Sequence, residues 1–346
     1  MNSGMRSDGG EKLAIVGAGS WGSAVAIALS GSFAEIGLWA HHDTDVESIR
    51  KERENRLFLP GFRIPGNVRP SHNLPEVIDD ATMVLFCIPS QFTRQVAAEA
   101  APHMTRGQIP VSLSKGVENE TLKRVSQILS EELPEENGRY VSVLSGPTFA
   151  REVAEFKPAA ATIASHNEET AKFLQGKLST HHFRLYADDD VVGVEIGGAV
   201  KNIIAIATGI ADGLGFGLNA RAALITRGLV EMKRFGAAHG AERETLNGLA
   251  GLGDLILTCT GDLSRNRTFG LRLGRGESAR EILDGMMMVA EGVKTAISIQ
   301  EMRKKAGVDM PISQQVYHIL YEGKKPEDAV RELLSRSLKS EKEGDE

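Results

Sequence analysis

The chain has 346 residues, 40 lysines and arginines against 46 aspartates and glutamates, and 41% hydrophobic residues. That length supports two ordinary domains or one large one, and a formal charge of −6 gives no overall pull towards nucleic acid or an anionic membrane. An anionic ligand therefore has to be held locally, by cations or helix ends. The two cysteines, Cys87 and Cys259, lie far apart and exclude a disulfide scaffold; they fit a reducing compartment, and no metal-ligand spacing occurs, so no metal is expected. The opening MNSGMRSDGG lacks the apolar core of a secretory signal. The longest apolar stretch, 191–211, is interrupted by Glu195, Lys201 and Asn202, so a soluble, cytoplasmic protein without membrane insertion is expected.

Residues 1–11 read as a flexible tail. KLAIV at 12–16 is a short buried strand, followed by a glycine-rich turn and an alanine-rich helix to about residue 29. IGLWA at 36–40 is the next strand, then a charged helix and a loop carrying LPG at 59–61 and IPG at 64–66. TMVLFCI at 82–88 is a continuous apolar run, which suits a parallel strand covered on both faces. Strands are predicted at 108–113 and 140–144 with a helix over about 119–132 between them, and two more at 160–165 and 183–187. Strands alternating with helices argue a doubly wound α/β sheet. Beyond about 190 the periodicity is helical, with helices expected over 191–213, 218–238, 264–273, 292–306, 311–322 and 326–337. Residues 339–346 read as a solvated tail.

The turn after the first strand is Gly17-Ala18-Gly19-Ser20-Trp21-Gly22, between an apolar strand and a helix. In that setting Gly17 permits the tight turn, Gly19 lets the backbone approach a pyrophosphate, and Gly22 lets helix and strand pack closely. N–H groups around Ser20 and Trp21 then favour negative charge. The fold class is therefore α/β: an N-terminal Rossmann-type doubly wound sheet that binds a dinucleotide (12–190), followed by an all-helical C-terminal domain for substrate (191–338). His41-His42-Asp43 follow the second strand. No acid follows it directly, and two imidazoles can donate to a ribose phosphate, so the cofactor is NADP or NAD with NADP favoured; Asp43 reaching a ribose hydroxyl keeps NAD open.

GVEIGGAVKNIIAIATGIADGLGFGLN at 193–219 places Ile196, Val200, Ile203, Ala207 and Ile210 on one helical face and Lys201 opposite. Lys201 is either solvated or enclosed. Its neighbours on that side are Gly198, Ala205, Thr208 and Gly209, and small residues admit another backbone or a ligand. An enclosed lysine loses hydration, which lowers its pKa and makes a proton shuttle possible. In Gly248–Leu255, Asp254 is either a helix cap or a site residue, with Thr258 one turn on. Ser264 can cap a helix whose free N–H groups, with Arg265, would hold an anion, or that helix is plain surface. Lys115 follows a predicted strand, where ligands bind in open α/β sheets; a surface lysine is the alternative.

These motifs, GAGSWG at 17–22, SKG at 114–116, LSGPTFAREV at 144–153, VKN at 200–202, GLGDL at 251–255 and SRNR at 264–267 among them, closely resemble those of bacterial-type NAD(P)-dependent glycerol-3-phosphate dehydrogenases from residue 12 to about 322. The resemblance implies reversible reduction of dihydroxyacetone phosphate to sn-glycerol 3-phosphate for phospholipid synthesis, in a homodimer. It implies that Lys201 exchanges the proton on the C2 oxygen, with Lys115 and Asp254 supporting that centre as catalytic residues. It places Lys115, Gly146, Thr148, Lys201, Asn202, Asp254, Thr258, Ser264, Arg265 and Asn266 about the substrate. It places Gly17, Gly19, Ser20, Trp21, Gly22, His41, His42, Lys115, Ala150, Arg265 and Glu291 about the cofactor. Two positions depart from many relatives: the His41-His42 pair where an arginine is common, and Phe58 where tyrosine is. Two other readings are a related hydroxyacid or keto-acid reductase and a non-catalytic NAD(P)H-binding redox sensor. The first would not need the Ser264–Asn266 anion site; the second would show binding without turnover.

Overall fold

The structure is a computed structural model that describes residues 10–286, 290–338, 340 and 341. The tails expected at 1–11 and 339–346 lie outside the described residues, apart from Gly10, Glu11, Ser340 and Glu341. The strands are β1 (Lys12–Val16), β2 (Glu35–Trp39), β3 (Glu54–Asn55), β4 (Leu59–Arg63), β5 (Val68–Ser71), β6 (Ala81–Phe86), β7 (Ile109–Ser112), β8 (Ser142–Ser145), β9 (Ala159–Ser165) and β10 (Phe183–Asp188). The first eight helices are α1 (Ser20–Leu29), α2 (Asp43–Glu52), α3 (Leu74–Ile78), α4 (Thr93–Ala100), α5 (Val125–Glu132), α6 (Glu135–Gly138), α7 (Ala150–Ala154) and α8 (Glu168–Leu178). The remaining eight are α9 (Val191–Gly213), α10 (Gly217–Ala238), α11 (Asp254–Thr260), α12 (Arg265–Gly274), α13 (Ala279–Asp284), α14 (Glu291–Ala306), α15 (Pro311–Tyr321) and α16 (Pro326–Leu334).

The chain forms two compact units. One holds residues 10–114, 125–144 and 148–191; the other holds 115–124, 145–147 and the described residues from 192 on. In the first, eight strands line up in the order β10-β9-β8-β7-β6-β1-β2-β5. β1 pairs in parallel with β2 on one side and β6 on the other, so the strand order reverses between β1 and β6. The crevice beyond the carboxyl ends at such a reversal is where open α/β sheets bind ligands, and it is where the Gly17 turn sits. Leu13, Ile15, Met83 and Leu85 are wholly buried on one side, Ala14, Val84 and Phe86 on the other. Both faces are covered, which is why these strands read as unbroken apolar runs.

Two sequence expectations need correction. The loop expected around 53–66 contains the antiparallel pair β3–β4, and β5 adds an edge strand beyond it. These strands are short, polar and carry Pro60 and Pro70, so alternation is absent from the sequence. The edge is tied down by arginines: Arg50 Nε donates to the Pro70 carbonyl at 3.0 Å, and Arg53 donates to the carbonyls of Ile64, Pro65 and Val68. The helix expected over 119–132 begins only at Val125. Residues 115–124 instead form a loop closed by an antiparallel bridge between Val117 and Arg124, with Leu122 in the left-handed region at φ 61°. Helical spacing there was carried by polar residues whose contacts belong to the second unit.

The second unit is built round α9. By length and composition this is the one helix among the described residues able to cross a membrane, but 94% of its most apolar window is buried within the protein. Its stripe of small residues is where other backbones touch it. A Cβ at Gly209 would stand 2.1 Å from the Arg267 carbonyl oxygen, and one at Gly270 of α12 would stand 2.1 Å from that of Ile206. The two helices thus touch backbone to backbone through paired glycines. Gly270→Ala is expected to cost about 1–3 kcal/mol by overpacking. Gly176→Ala, in open space on α8, should instead add about 0.4–1 kcal/mol by restricting the unfolded chain. Urea titration of both variants reads the contrast, and equal effects would refute it.

Candidate active site

The cofactor-side candidates of the first unit gather at the β1–α1 turn and the end of β2. Gly17 has φ 119°, and a Cβ there would lie 2.6 Å from the Cys87 carbonyl oxygen; a Cβ at Gly22 would lie 1.9 Å from that of Gly17. Neither position admits a side chain. Gly19, by contrast, has nothing within 4 Å of where its Cβ would be. It stands at the N-cap of α1 with no side-chain cap, and no acid follows in the first turn. The start of α1 carries the positive end of the helix, and the open space over Gly19 gives a pyrophosphate room. The residues present therefore fit a dinucleotide.

Ser20 donates through its hydroxyl to the Phe58 carbonyl at 2.6 Å, and Asn55 Nδ2 donates to the Ala18 carbonyl at 2.7 Å, so the β3–β4 hairpin braces the turn. Trp21 packs edge-on against Phe183. His41 and His42 are exposed just past β2, their rings 4.7 Å apart, with His42 at the N-cap of α2. Asp43 pairs with His72 Nδ1 at 2.5 Å, which engages the one carboxylate considered for a ribose hydroxyl. Thr148 and Ala150 are half-buried, Ala150 opening α7.

The second unit assembles the substrate-side candidates around one carboxylate. Gly251 abuts the Leu246 backbone, and residues 249–253 form a turn of π-helix that leads directly into α11. Such wide turns re-aim the residue that follows, here Asp254, which is 1% exposed. Lys201 Nζ donates to Asp254 Oδ1 at 2.5 Å and to Thr258 Oγ1 at 2.9 Å. Lys115 Nζ donates to Asp254 Oδ2 at 2.7 Å and to the Gly146 carbonyl at 3.1 Å. The Thr258 hydroxyl donates a hydrogen bond to the Asp254 backbone carbonyl at 2.6 Å, which leaves its oxygen lone pairs for Lys201. The group comprises two lysine ammonium groups that share one buried carboxylate.

Lys201 is thus the enclosed amine, 5% exposed. Burial pushes its pKa down from 10.5 to about 8; the Asp254 carboxylate opposes that shift and the Lys115 ammonium adds to it. Burial raises the Glu291 carboxyl, at the start of α14, while Arg265, Lys115 and Lys201 hold it back. Ser264 caps α12, accepting from Arg267 N–H at 3.2 Å, and exposed Arg265 stands first in that helix. Asn202 and Asn266 are joined side chain to side chain at 2.9 Å. Asn266 Oδ1 also accepts the Gly292 N–H at 3.0 Å, and Asn202 Nδ2 reaches the Gly198 carbonyl at 3.4 Å. The pair laces α9, α12 and α14 together. Arg267, the second arginine of SRNR, is tied to Asp212 at 2.9 Å and so serves the scaffold.

Sequence reading missed Ser145, whose buried hydroxyl has no hydrogen-bond partner and would stand 2.9 Å from a methyl added at Gly198. A serine in a glycine-proline stretch carries no signal of this. It also missed the buried Arg124–Glu195 ion pair, although a glutamate inside an apolar helical run is a visible irregularity.

An uncapped glycine turn at a strand reversal and a desolvated lysine on a carboxylate are features of a dinucleotide-dependent dehydrogenase. Comparison with known proteins is specific. The N-terminal family of NAD-dependent glycerol-3-phosphate dehydrogenase matches residues 12–171, and the C-terminal family of the same enzyme matches 190–331. The chain is 51% identical over 329 residues to the glycerol-3-phosphate dehydrogenase [NAD(P)+] of Syntrophotalea carbinolica, covering 95% of this chain and 99% of that one. It is 51% identical over 331 residues to that of Citrifermentans bemidjiense, covering 96% and 99%. The crystal structure of glycerol-3-phosphate dehydrogenase from Coxiella burnetii superposes with a TM-score of 0.90 at 39% identity, covering 95% of this chain and all of that one. The chain belongs to the NAD-dependent glycerol-3-phosphate dehydrogenase family.

The depressed Lys201 value has a consequence for stability. Between about pH 8 and pH 10.5 the unfolded chain still holds a proton that the folded chain has released, so folding becomes more favourable as pH rises through that window. The stability of the parent relative to Lys201→Met should climb across it. Denaturant melts at several pH values would refute this by giving a flat difference.

Proposed function

We propose that this protein catalyses reversible hydride transfer between NAD(P)H and dihydroxyacetone phosphate, forming sn-glycerol 3-phosphate for phospholipid synthesis. The observation that carries the reading is Lys201 Nζ, buried and held between the Asp254 carboxylate and the Thr258 hydroxyl. A nicotinamide dinucleotide held at the glycine turn would supply or accept the hydride. Lys201 gives its proton to the C2 oxygen as negative charge develops there, and takes it back in the oxidative direction. A pKa near 8 suits both roles near neutral pH. Asp254 keeps the ammonium aimed and offsets part of the cost of burying it. Lys115, on the other oxygen of Asp254, adds positive charge where the alkoxide forms.

The phosphate is assigned to the start of α12, where the guanidinium of exposed Arg265 stands in the first turn of a helix capped by Ser264. Asn202 and Asn266 hold α9 and α12 at the spacing this requires. The turn over Gly17, Gly19 and Gly22 holds the pyrophosphate, with Ser20, Trp21, Ala150 and Glu291 completing the cofactor set and Gly146 and Thr148 the substrate set. His41 and His42, exposed past β2, support a tolerance for the 2′-phosphate, with NADP favoured over NAD. The same reading assigns the sheet, 12–190, to the dinucleotide and the helices, 191–338, to substrate, in a cytoplasmic homodimer. Exposed Phe216 and Leu218 at the head of α10 are the apolar surface that supports a second copy; sedimentation of the purified protein reads that state.

Steady-state kinetics with dihydroxyacetone phosphate, with NADPH and NADH side by side, test the reaction. Cofactor binding without turnover would favour the sensor reading. Lys201→Ala should abolish turnover and leave cofactor binding intact; near-normal turnover would remove Lys201 from the mechanism. Arg265→Ala should raise KM for the triose phosphate by about 10- to 100-fold, the worth of a charge-assisted hydrogen bond pair. An unchanged KM would favour a keto-acid substrate. The pH profile has a sign in each direction. Reduction needs the ammonium, so its rate should fall as pH rises through about 8, while oxidation needs the free amine and should rise there.

A further inference from the structure

We propose that Arg124 and Glu195 are positioning residues that set Lys115 against Asp254. The inference rests on the function proposed above and deepens it. Lys115 opens the loop 115–124, which has little regular structure: its hydrogen bonds include those of Glu118 N–H to the Lys123 carbonyl and Leu122 N–H to the Glu118 carbonyl, each 3.0 Å, and Lys123 N–H to Thr121 Oγ1 at 3.3 Å, beside the bridge of Val117 with Arg124. The strand β7 fixes the backbone just before Lys115, with Leu113 N–H on the Phe86 carbonyl at 2.8 Å, and contacts further along the loop fix the side on which the chain continues.

Two anchors fix it. Val117, 1% exposed, sits in the apolar core of the helical unit. At the far end Arg124 Nη1 meets Glu195 Oε2 of α9 at 2.5 Å, with side chains 15% and 3% exposed. A buried pair of this kind contributes little net stability, because desolvation offsets the attraction, but breaking it is costly because a charge is left unmatched. Its value is that it permits one arrangement only.

The arrangement is legible along α9. Glu195, Gly198 and Lys201 are spaced by three and form one row on that helix. Arg124 docks at the first. The stem of Lys115 crosses at the second, where an added methyl would stand 3.3 Å from Lys115 Cγ. The Lys115 ammonium then meets the carboxylate that also holds the third. One helix therefore registers both ends of the Lys115–Asp254–Lys201 array, and the bridge opposite Val117 carries the restraint back to within two residues of Lys115.

Glu195→Gln tests this in the full-length protein, with Arg124→Gln as the second approach to the same bond from the loop side. The expected result has three parts. NADPH affinity is unchanged. The kcat/KM for dihydroxyacetone phosphate falls by about 10- to 100-fold, the usual cost of a misplacement near 1 Å. Lys115 is labelled faster by a small acylating reagent, mapped by mass spectrometry, while exposed Lys51 is not. The labelling arm does not depend on turnover. A parent protein inactive on dihydroxyacetone phosphate would sink the function reading, whereas unchanged Lys115 labelling in both variants would overturn this inference alone. Faster labelling with kcat/KM at the parent level would overturn it too, since Lys115 would then have moved without consequence.

Discussion

The carboxylate of Asp254 is the point on which the helical unit turns. It is almost fully buried, and each of its oxygens holds a different ammonium, Lys201 on one and Lys115 on the other. A carboxylate can be buried only if charge and hydrogen bonds replace the water it gives up. Here the replacement is two lysines drawn from segments 139 and 53 residues away. Both ammonium groups in turn replace part of the water they lose with this one carboxylate.

Much of the unit's architecture follows from bringing these three groups together. α9 has to run close under α12 and the 249–253 turn, and glycines at 197, 209 and 213 let backbones touch where side chains would not fit. The π-helical turn ahead of Asp254 lets α11 begin with a functional group in place of an ordinary cap. The asparagine pair Asn202–Asn266 then sets the spacing of α9, α12 and α14 in the layer beside the amine. In the sheet unit the same economy appears at Gly17 and Gly22, packed against backbone oxygens, while Gly19 between them stays open.

The elements most legible from sequence were those whose neighbours are regular. β1, β6 and β9 are mostly apolar because both faces of the sheet are covered, and α10, α14 and α15 show helical spacing because each buries one face, whereas α9 is buried nearly all round. The β3–β4 hairpin, the edge strand β5 and the loop 115–124 carried no such pattern. Arg50 and Arg53 hold the first group through carbonyl oxygens, and Val117 and Arg124 hold the last through a core and a carboxylate far along the chain. Interactions of that kind leave no periodicity to read.

From sequence alone came the alternation of strands and helices, the glycine turn beside the first strand, and the odd lysine among small residues on an apolar helix. These are local facts, fixed by the 2-residue and 3.6-residue periods of the backbone and by the steric needs of glycine. Whether Lys201 faced water or protein could not be local, because solvation is set by everything packed around the amine. Only the fold decided that it is enclosed, that Asp254 serves two lysines and not a helix end, and that Lys115 reaches it through a loop pinned to α9. The reason is range: periodicity acts over a few residues, whereas desolvation and charge pairing act through space between residues the chain order keeps far apart.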